Sequence, residues 1–156
     1  MDTCFINTPL GIAKIQADEN GISIISILSE GELTIEIPKN LKESVSQIQD
    51  YFDGKLTNFN LKINPKGTKF QQKVWKELIN IPFGKTISYL DLAKKLGDPK
   101  VIRAAASANG KNPLWIVVPC HRVIGTDGSL TGYAGGLWRK KWLLEHENPK
   151  NQQSLF

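Results

Sequence analysis

A thiol, an imidazole and a guanidinium stand side by side at Cys120, His121 and Arg122. Cysteine attacks carbon only as the thiolate, and an unperturbed thiol has a pKa of about 8.5. A neighbouring histidine can take the proton, and Arg122 is a candidate for favouring the charge left on sulfur. Adjacent side chains on an extended chain point apart, so His121 is expected to reach the sulfur through a bridging water. The competing reading is structural, because a free cysteine often serves as a small buried hydrophobe. A Cys-His pair alone does not decide between them.

The remaining inventory narrows the chemistry. Cys4 is the only other cysteine and His146 the only other histidine. Neither cysteine falls in a CxxC spacing, so neither a disulfide framework nor a bound metal is expected.

A reactive thiol has to be held by rigid elements. Leu114-Trp-Ile-Val-Val118 is a continuous apolar run that predicts a buried strand ending at Pro119, with Cys120 at its tip. Upstream, Thr68-Lys-Phe-Gln71 has the spacing of a capping box, and Phe70, Val74 and Leu78 form the stripe of the helix it opens. Ser88-Tyr-Leu-Asp91 starts another helix, Leu92, Ala93 and Leu96 give it an inner face, and Gly97 stops it. Asp98 caps a following helix, with Pro99 in its first turn and its end near Asn109.

Helix, glycine-containing turn, helix predicts a helix-turn-helix. Its second helix has a low profile, since Val101 to Ala108 sets Arg103 among alanines and a serine. Such a surface can approach a backbone or a narrow groove closely. Packing on a neighbouring helix accounts for alanines on one side only, which leaves Arg103 to project from the other.

The first part of the chain reads differently. Residues 11–17 and 22–28 predict two strands joined around Asp18-Glu-Asn-Gly21, and Glu32-Leu-Thr-Ile-Glu-Ile37 alternates like a half-buried strand. Asn40-Leu-Lys-Glu43 resembles a capping start, with Leu41, Val45, Ile48 and Phe52 on one helical face and Gly54 at its end. Asn64-Pro-Lys-Gly67 is the expected linker. The predicted class is therefore α/β. A small mixed N-terminal domain with a short antiparallel sheet spans residues 1–63, and a mainly helical domain with the helix-turn-helix and active-site strand spans 66–150.

Charge divides along the same line. Residues 1–61 hold 4 Lys against 9 Asp/Glu, whereas residues 62–141 hold 15 Lys/Arg against 4 Asp/Glu. A basic segment of this kind raises the local concentration of a polyanion, although a merely solvated basic face is also common. Hydrophobic residues make up 40%, enough for a core, while no apolar run is long enough to cross a bilayer. Without a signal-like N-terminus, a cytoplasmic protein is expected, nuclear if the source is eukaryotic.

Pro119-Cys-His-Arg-Val-Ile124 is far more specific than the dipeptide inside it. It resembles the active-site signature of the O6-alkylguanine-DNA alkyltransferases, also called methylated-DNA–protein-cysteine methyltransferases. Phe70-Gln-x-x-Val-Trp75, Ile81-Pro-Phe-Gly84, Ser88-Tyr89, Asp98-Pro99, Arg103-Ala104 and Asn112-Pro113 resemble that family in order and spacing. So do Gly132-Tyr133, Gly135-Gly136-Leu137 and Trp142-Leu-Leu-Glu-His-Glu147. The resemblance covers residues 68–147 almost continuously, and Thr8-Pro-Leu-Gly11 carries it into the N-terminal domain.

The resemblance implies a role for each matching residue. Cys120 is the alkyl acceptor, His121 its base through a water, and Glu147 the group that orients and charges His121. Without the family pattern, Glu147 reads as a solvated residue near a helix end. Asn112 holds the turn that presents the active-site strand. Tyr89 donates its hydroxyl to guanine N3 and crowds the phosphate 3′ to the lesion. Tyr133 and Ala134 line the base pocket, and many relatives carry serine where Ala134 stands. Arg103 enters the duplex and fills the space of an extruded nucleotide, with the alanine-rich helix in the minor groove. Leu90, Asp98 and Thr126 align with positions that touch DNA. Some relatives hold zinc in the N-terminal domain, but Cys4 with no nearby histidine offers no such site.

The implied reaction is a stoichiometric, irreversible displacement at the alkyl carbon on O6 of guanine, with O4 of thymine a second candidate. It needs no cofactor. The implied partner is double-stranded DNA carrying O6-alkylguanine, bound by a monomer. The alternatives are a non-catalytic, alkyltransferase-like lesion binder (such relatives lack the acceptor cysteine), a helix-turn-helix regulator, and a cysteine hydrolase.

Overall fold

Alternating apolar residues in the first part of the chain fold into a three-stranded meander. A computed structural model of the protein describes residues 1–130, 133 and 135–149. Strands β1 (Asp2–Thr8), β2 (Gly11–Asp18) and β3 (Gly21–Leu28) pair antiparallel in the order β1-β2-β3. The register sets Cys4 against Ile15 and Ile15 against Ile25, so one face of the sheet is a row of buried apolar side chains. Helix α1 (Lys42–Phe52) adds Val45, Ile48 and Tyr51 to this core. Each fully buried Ile contributes about 1.5–3 kcal/mol.

Turn chemistry fixes the hairpins. Asp18 accepts from the amide of Asn20 at 2.8 Å, and Gly21 follows at φ +132°. A Cβ on Gly21 would lie 2.7 Å from the carbonyl oxygen of Lys62, which accepts the Ile22 amide, so only glycine fits.

Two expectations fail here. Glu32–Ile37 is not a strand; Thr34 alone bonds β1, through Phe5, while Ile35 is fully exposed. Alternation records which side chains share a face, but a strand also needs a run of paired backbone, and this stretch meets the outer edge of β1 at Thr34 without extending into a ladder. Nor does Asn40 cap α1, which is entered instead through a 3-10 turn, Lys39–Leu41, after Pro38.

The second part of the chain is mainly helical. Thr68 and Gln71 form the reciprocal capping box that opens α2 (Lys69–Ile79), and Ser88 and Asp91 do the same for α3 (Tyr89–Lys95). Gly97 at φ +99° ends the turn after α3, and Asp98 caps a 3-10 turn, Pro99–Val101, that feeds α4 (Ile102–Gly110). The indole of Trp75 on α2 donates to the Ala108 carbonyl on α4 at 2.9 Å. Strand β4 (Ile87–Ser88) pairs parallel with β5 (Val123–Ile124), and α5 (Leu137–Glu147) closes the described chain.

By internal contacts, residues 1–66 group with 113–115, and residues 67–112 group with 116–156. Pro113–Trp115 thus belongs to the first unit, where Ile25 bonds both Pro113 and Trp115.

The expected active-site strand is a further correction. Residues 114–118 are buried apart from the half-buried Val117, but 115–117 form a turn and Ile116 sits at φ +59°. An apolar run signals burial and does not specify extended backbone. No helix among the described residues is long and apolar enough to cross a membrane.

Candidate active site

Three side chains of one short turn and one residue from the end of α5 form the centre of the site. Cys120–Arg122 is a 3-10 turn following Pro119, tightened by a bond from the Cys120 amide to the Val118 carbonyl at 2.8 Å. The Asn112 amide donates to the same carbonyl at 2.7 Å, which ties the end of α4 to the turn. Asn109, buried on α4, reaches the Cys120 carbonyl at 3.4 Å. Cys120 is 7% exposed.

His121 is fully buried, and its Nε2 lies 2.7 Å from Oε2 of Glu147. Burial pushes the Glu147 carboxyl up, but His121 and Arg122 outweigh it and hold the group well below the usual carboxylate range. An ionised Glu147 accepts, so Nε2 carries the proton and Nδ1 keeps its lone pair. That Nδ1 is buried and no described residue hydrogen-bonds it. Burial also lowers the pKa of His121, against the pull of Glu147, and so favours the neutral imidazole that can accept a proton.

Arg122 does not serve the sulfur as the sequence suggested. Its Nε and Nη2 donate to the two Glu147 oxygens at 2.8 and 3.0 Å, and Nη1 donates to the Ile81 carbonyl at 2.7 Å. Its guanidinium also lies 5.7 Å from the centre of the Phe83 ring. A bidentate guanidinium of this kind fixes the carboxylate in plane and angle.

Lys140, on α5, is fully buried as well. Its ammonium sits 5.9 Å from the ring centres of both Tyr89 and Tyr133. Burial pushes the Cys120 thiol up, and the Asn112 amide and the charge of Lys140 offset only part of that rise. Sequence reasoning missed Lys140 because a lysine in a basic segment reads as surface. The available signal was spacing: Lys140, Leu143, Leu144 and Glu147 share one helical face.

The other expected residues divide. Tyr89 and Tyr133 are half-buried and both face Lys140. Arg103 is exposed on α4, with Ala105, Ala108 and Asn109 on the buried side, as the low-profile reading requires. Asp98 and Thr126 are exposed and Leu90 half-buried. Ala134 lies outside the described residues. His146 takes no part in the turn, being stacked on Trp142 at 4.9 Å. Among the described residues no three His, Cys, Asp or Glu side chains are grouped to hold a metal ion.

Comparison with known proteins bears on this geometry. Residues 69–149 match the family model of the 6-O-methylguanine DNA methyltransferase DNA-binding domain, and residues 3–65 match that of the same family's ribonuclease-like domain. The methylated-DNA–protein-cysteine methyltransferase of Methanosarcina barkeri is 44% identical over 149 residues, covering 91% of this chain and 94% of the relative. The O6-methylguanine methyltransferase crystal structure from Mycobacterium tuberculosis superposes with a TM-score of 0.85 at 39% identity, covering 95% of this chain and 93% of that one. The same organism's protein in complex with DNA gives 0.84 at 41% identity, covering 93% and 91%.

Proposed function

The chain belongs to the 6-O-methylguanine DNA methyltransferase family, and from that premise we propose that it repairs DNA by moving an alkyl group from O6 of guanine onto Cys120. The observation that carries the assignment of Cys120 is a buried thiol next in the chain to an imidazole that burial keeps neutral and whose Nε2 is tied to an ionised carboxylate.

The proton of the Cys120 thiol passes to Nδ1 of His121 through a water, while Glu147 stabilises the imidazolium that forms. The thiolate then attacks the alkyl carbon in line. A carbon–sulfur bond forms, the carbon–oxygen bond breaks, and the electron pair leaves with guanine O6. The Tyr89 hydroxyl donates to N3 of the departing base, where charge develops. Tyr133 lines the base pocket, and Asn112 keeps the thiol's turn in place, a role supported by its bond to Val118. The thioether product is a poor electrophile, so one molecule repairs one lesion and no cofactor enters.

Because a stacked guanine hides its O6 from a buried sulfur, the nucleotide is flipped out, at a cost of a few kcal/mol. Arg103 fills the gap, and α4 lies in the minor groove. The small side chains on both faces of α4 support this close approach. Leu90, Asp98 and Thr126 complete the DNA contacts. A repair protein gains nothing from base readout around the lesion, so phosphate contacts dominate and binding weakens steeply with salt. The protein acts as a monomer inside the cell, and O4-alkylthymine is a second substrate to try.

Mixing the protein with duplex DNA carrying O6-methylguanine should add one methyl to the peptide containing Cys120, and never more than one per chain, read by intact-mass and peptide spectrometry. Cys120→Ser should gain nothing. Lesion binding by wild-type protein without a mass gain would favour the alkyltransferase-like alternative. Repeated turnover by unmodified protein would favour a hydrolase.

A further inference from the structure

We propose that Arg139, braced by Trp138, is a positioning residue for the base pocket: it ties the backbone of Gly135 and Gly136 to the first turn of α5 and so sets where Tyr133 stands against the departing base. The proposal rests on the reading of Tyr133 as a wall of that pocket and of Cys120 as the acceptor, and it names a residue that the motif left unassigned.

Three observations carry it. Arg139 is buried, although a guanidinium on its long stem reaches water from most helix positions. Its Nη1 donates to the Gly135 carbonyl at 2.8 Å, and its backbone amide donates to the Gly136 carbonyl at 3.1 Å. The Gly136 amide in turn donates to the Tyr133 carbonyl at 2.9 Å, which closes a turn from Tyr133 to Gly136. One residue is therefore bonded twice to the turn that Tyr133 begins. The guanidinium also lies 4.5 Å from the centre of the Trp138 ring, although Trp138 is 57% exposed. That is well inside the range in which a cation is attracted to a ring face. The edge of the same indole rests against Gly136, where a Cβ would meet it at 3.3 Å.

The place is a costly one for a cation, which strengthens the assignment. Arg139 lies in the first turn of α5, the positive end of the helix dipole, and no acidic residue stands in that turn. Gly136 at the N-cap makes no side-chain cap, so the usual tie between a helix start and its own amides is missing. Helices α2 and α3 close their starts with reciprocal capping boxes. In α5 the tie runs backwards instead, from Arg139 to Gly135. Further along the same helix, Leu143 and Leu144 are buried in the core and Glu147 holds His121 and Arg122. Tyr133 is thereby registered to the helix that carries the carboxylate. A guanidinium suits the task because its plane covers the indole while its edge donates to the carbonyl. Loss of either contact lets the turn shift and moves the wall of the pocket.

The test compares duplex DNA carrying O6-methylguanine with duplex DNA carrying O6-butylguanine, in wild type, Arg139→Met and Trp138→Ala. Single-turnover rates at saturating DNA are read from the mass gain of the Cys120 peptide. Alkylation of the same peptide by iodoacetamide reports on the thiol by itself. In Arg139→Met the methyl rate should fall about tenfold, the scale of one charge-assisted hydrogen bond, because the base loses its wall. The butyl rate should fall far less, since a shifted wall leaves room for the longer chain. The butyl-to-methyl ratio should therefore rise by about fivefold or more, while iodoacetamide reacts as in wild type. Trp138→Ala, at an exposed site, should move the ratio the same way by about twofold. Circular dichroism checks folding, and if Arg139→Met fails to fold, the ratio in Trp138→Ala decides the matter. A ratio unchanged from wild type would overturn the proposal. So would methyl, butyl and iodoacetamide rates that fall together, which would make Arg139 scaffold alone. If wild type gains no mass from either duplex, the reading of Cys120 falls and takes this inference with it.

Discussion

The two units bury polar groups in opposite ways. In the first, the buried polar residues are Thr8, Ser23, Ser44 and Gln47, all uncharged. Their bonds are short-range and local to the unit: Thr8 to Gly11, Ser44 to Leu41, and Gln47 to both the amide and the carbonyl of Asn60. In the second unit the buried set includes His121, Arg122, Arg139, Lys140 and Glu147. Burying a charge costs several kcal/mol unless partners replace the lost water. Stability alone would be served as well by apolar residues there, so the charges mark where folding gives way to chemistry.

Glu147→Gln is the most severe way to break that contrast. It leaves Arg122 buried without its carboxylate and should cost about 3–5 kcal/mol in urea unfolding. The single-turnover rate should fall by about 10²–10⁴, because His121 loses its orienting anion. A rate that survives the stability loss would mean the ion pair is scaffolding alone. Ile48→Ala is the counterpart in the first unit. Its cavity should cost about 2–5 kcal/mol, yet the rate constant of the protein that remains folded should be unaltered.

Acid sharpens the comparison further. Glu147 has a folded-state pKa held below its unfolded value, so its contribution is complete above about pH 4.3 and is lost as pH falls through the folded value. His121 is also lowered, so its contribution is complete above about pH 6.5 and erodes below it. Both losses run in the same direction and both lie in the second unit. Hydrogen exchange between pH 7 and 4 should show α5 and the Cys120 turn losing protection before β1–β3. Equal loss in both units would refute the asymmetry. The mildest effect on folding is expected from exposed Arg103→Ala, within about 0.5 kcal/mol of wild type, while repair of duplex DNA falls because the flipped state loses its filler.

What could be read in advance follows from the range of each interaction. The capping boxes at Thr68/Gln71 and Ser88/Asp91 pair residues three apart, so their sequence signature is nearly their structure. The hairpin at Asp18–Gly21 and the turn at Gly97 are local in the same sense. The Glu32–Ile37 stretch misled because pairing depends on a distant edge, and the stretch meets the edge of β1 only around Thr34. The 114–118 run misled because depth and extension leave the same apolar mark. At the site, the nucleophile and its neighbours were legible through the motif. The partner of Arg122 lies 25 positions away and left no local mark, and the burial of Lys140 showed only as spacing along one helical face.

Lys140 and Glu147 ride on one helix, two turns apart, with Leu143 and Leu144 locked into the core between them. A single angle of rotation about the α5 axis therefore sets both charges at once. Removing or inserting one residue between the leucines would swing one of the two round by about a quarter turn relative to the other. No small sliding of the helix could move one charge while sparing the other, and variation at this centre has to proceed by changing side chains while the spacing stays constant.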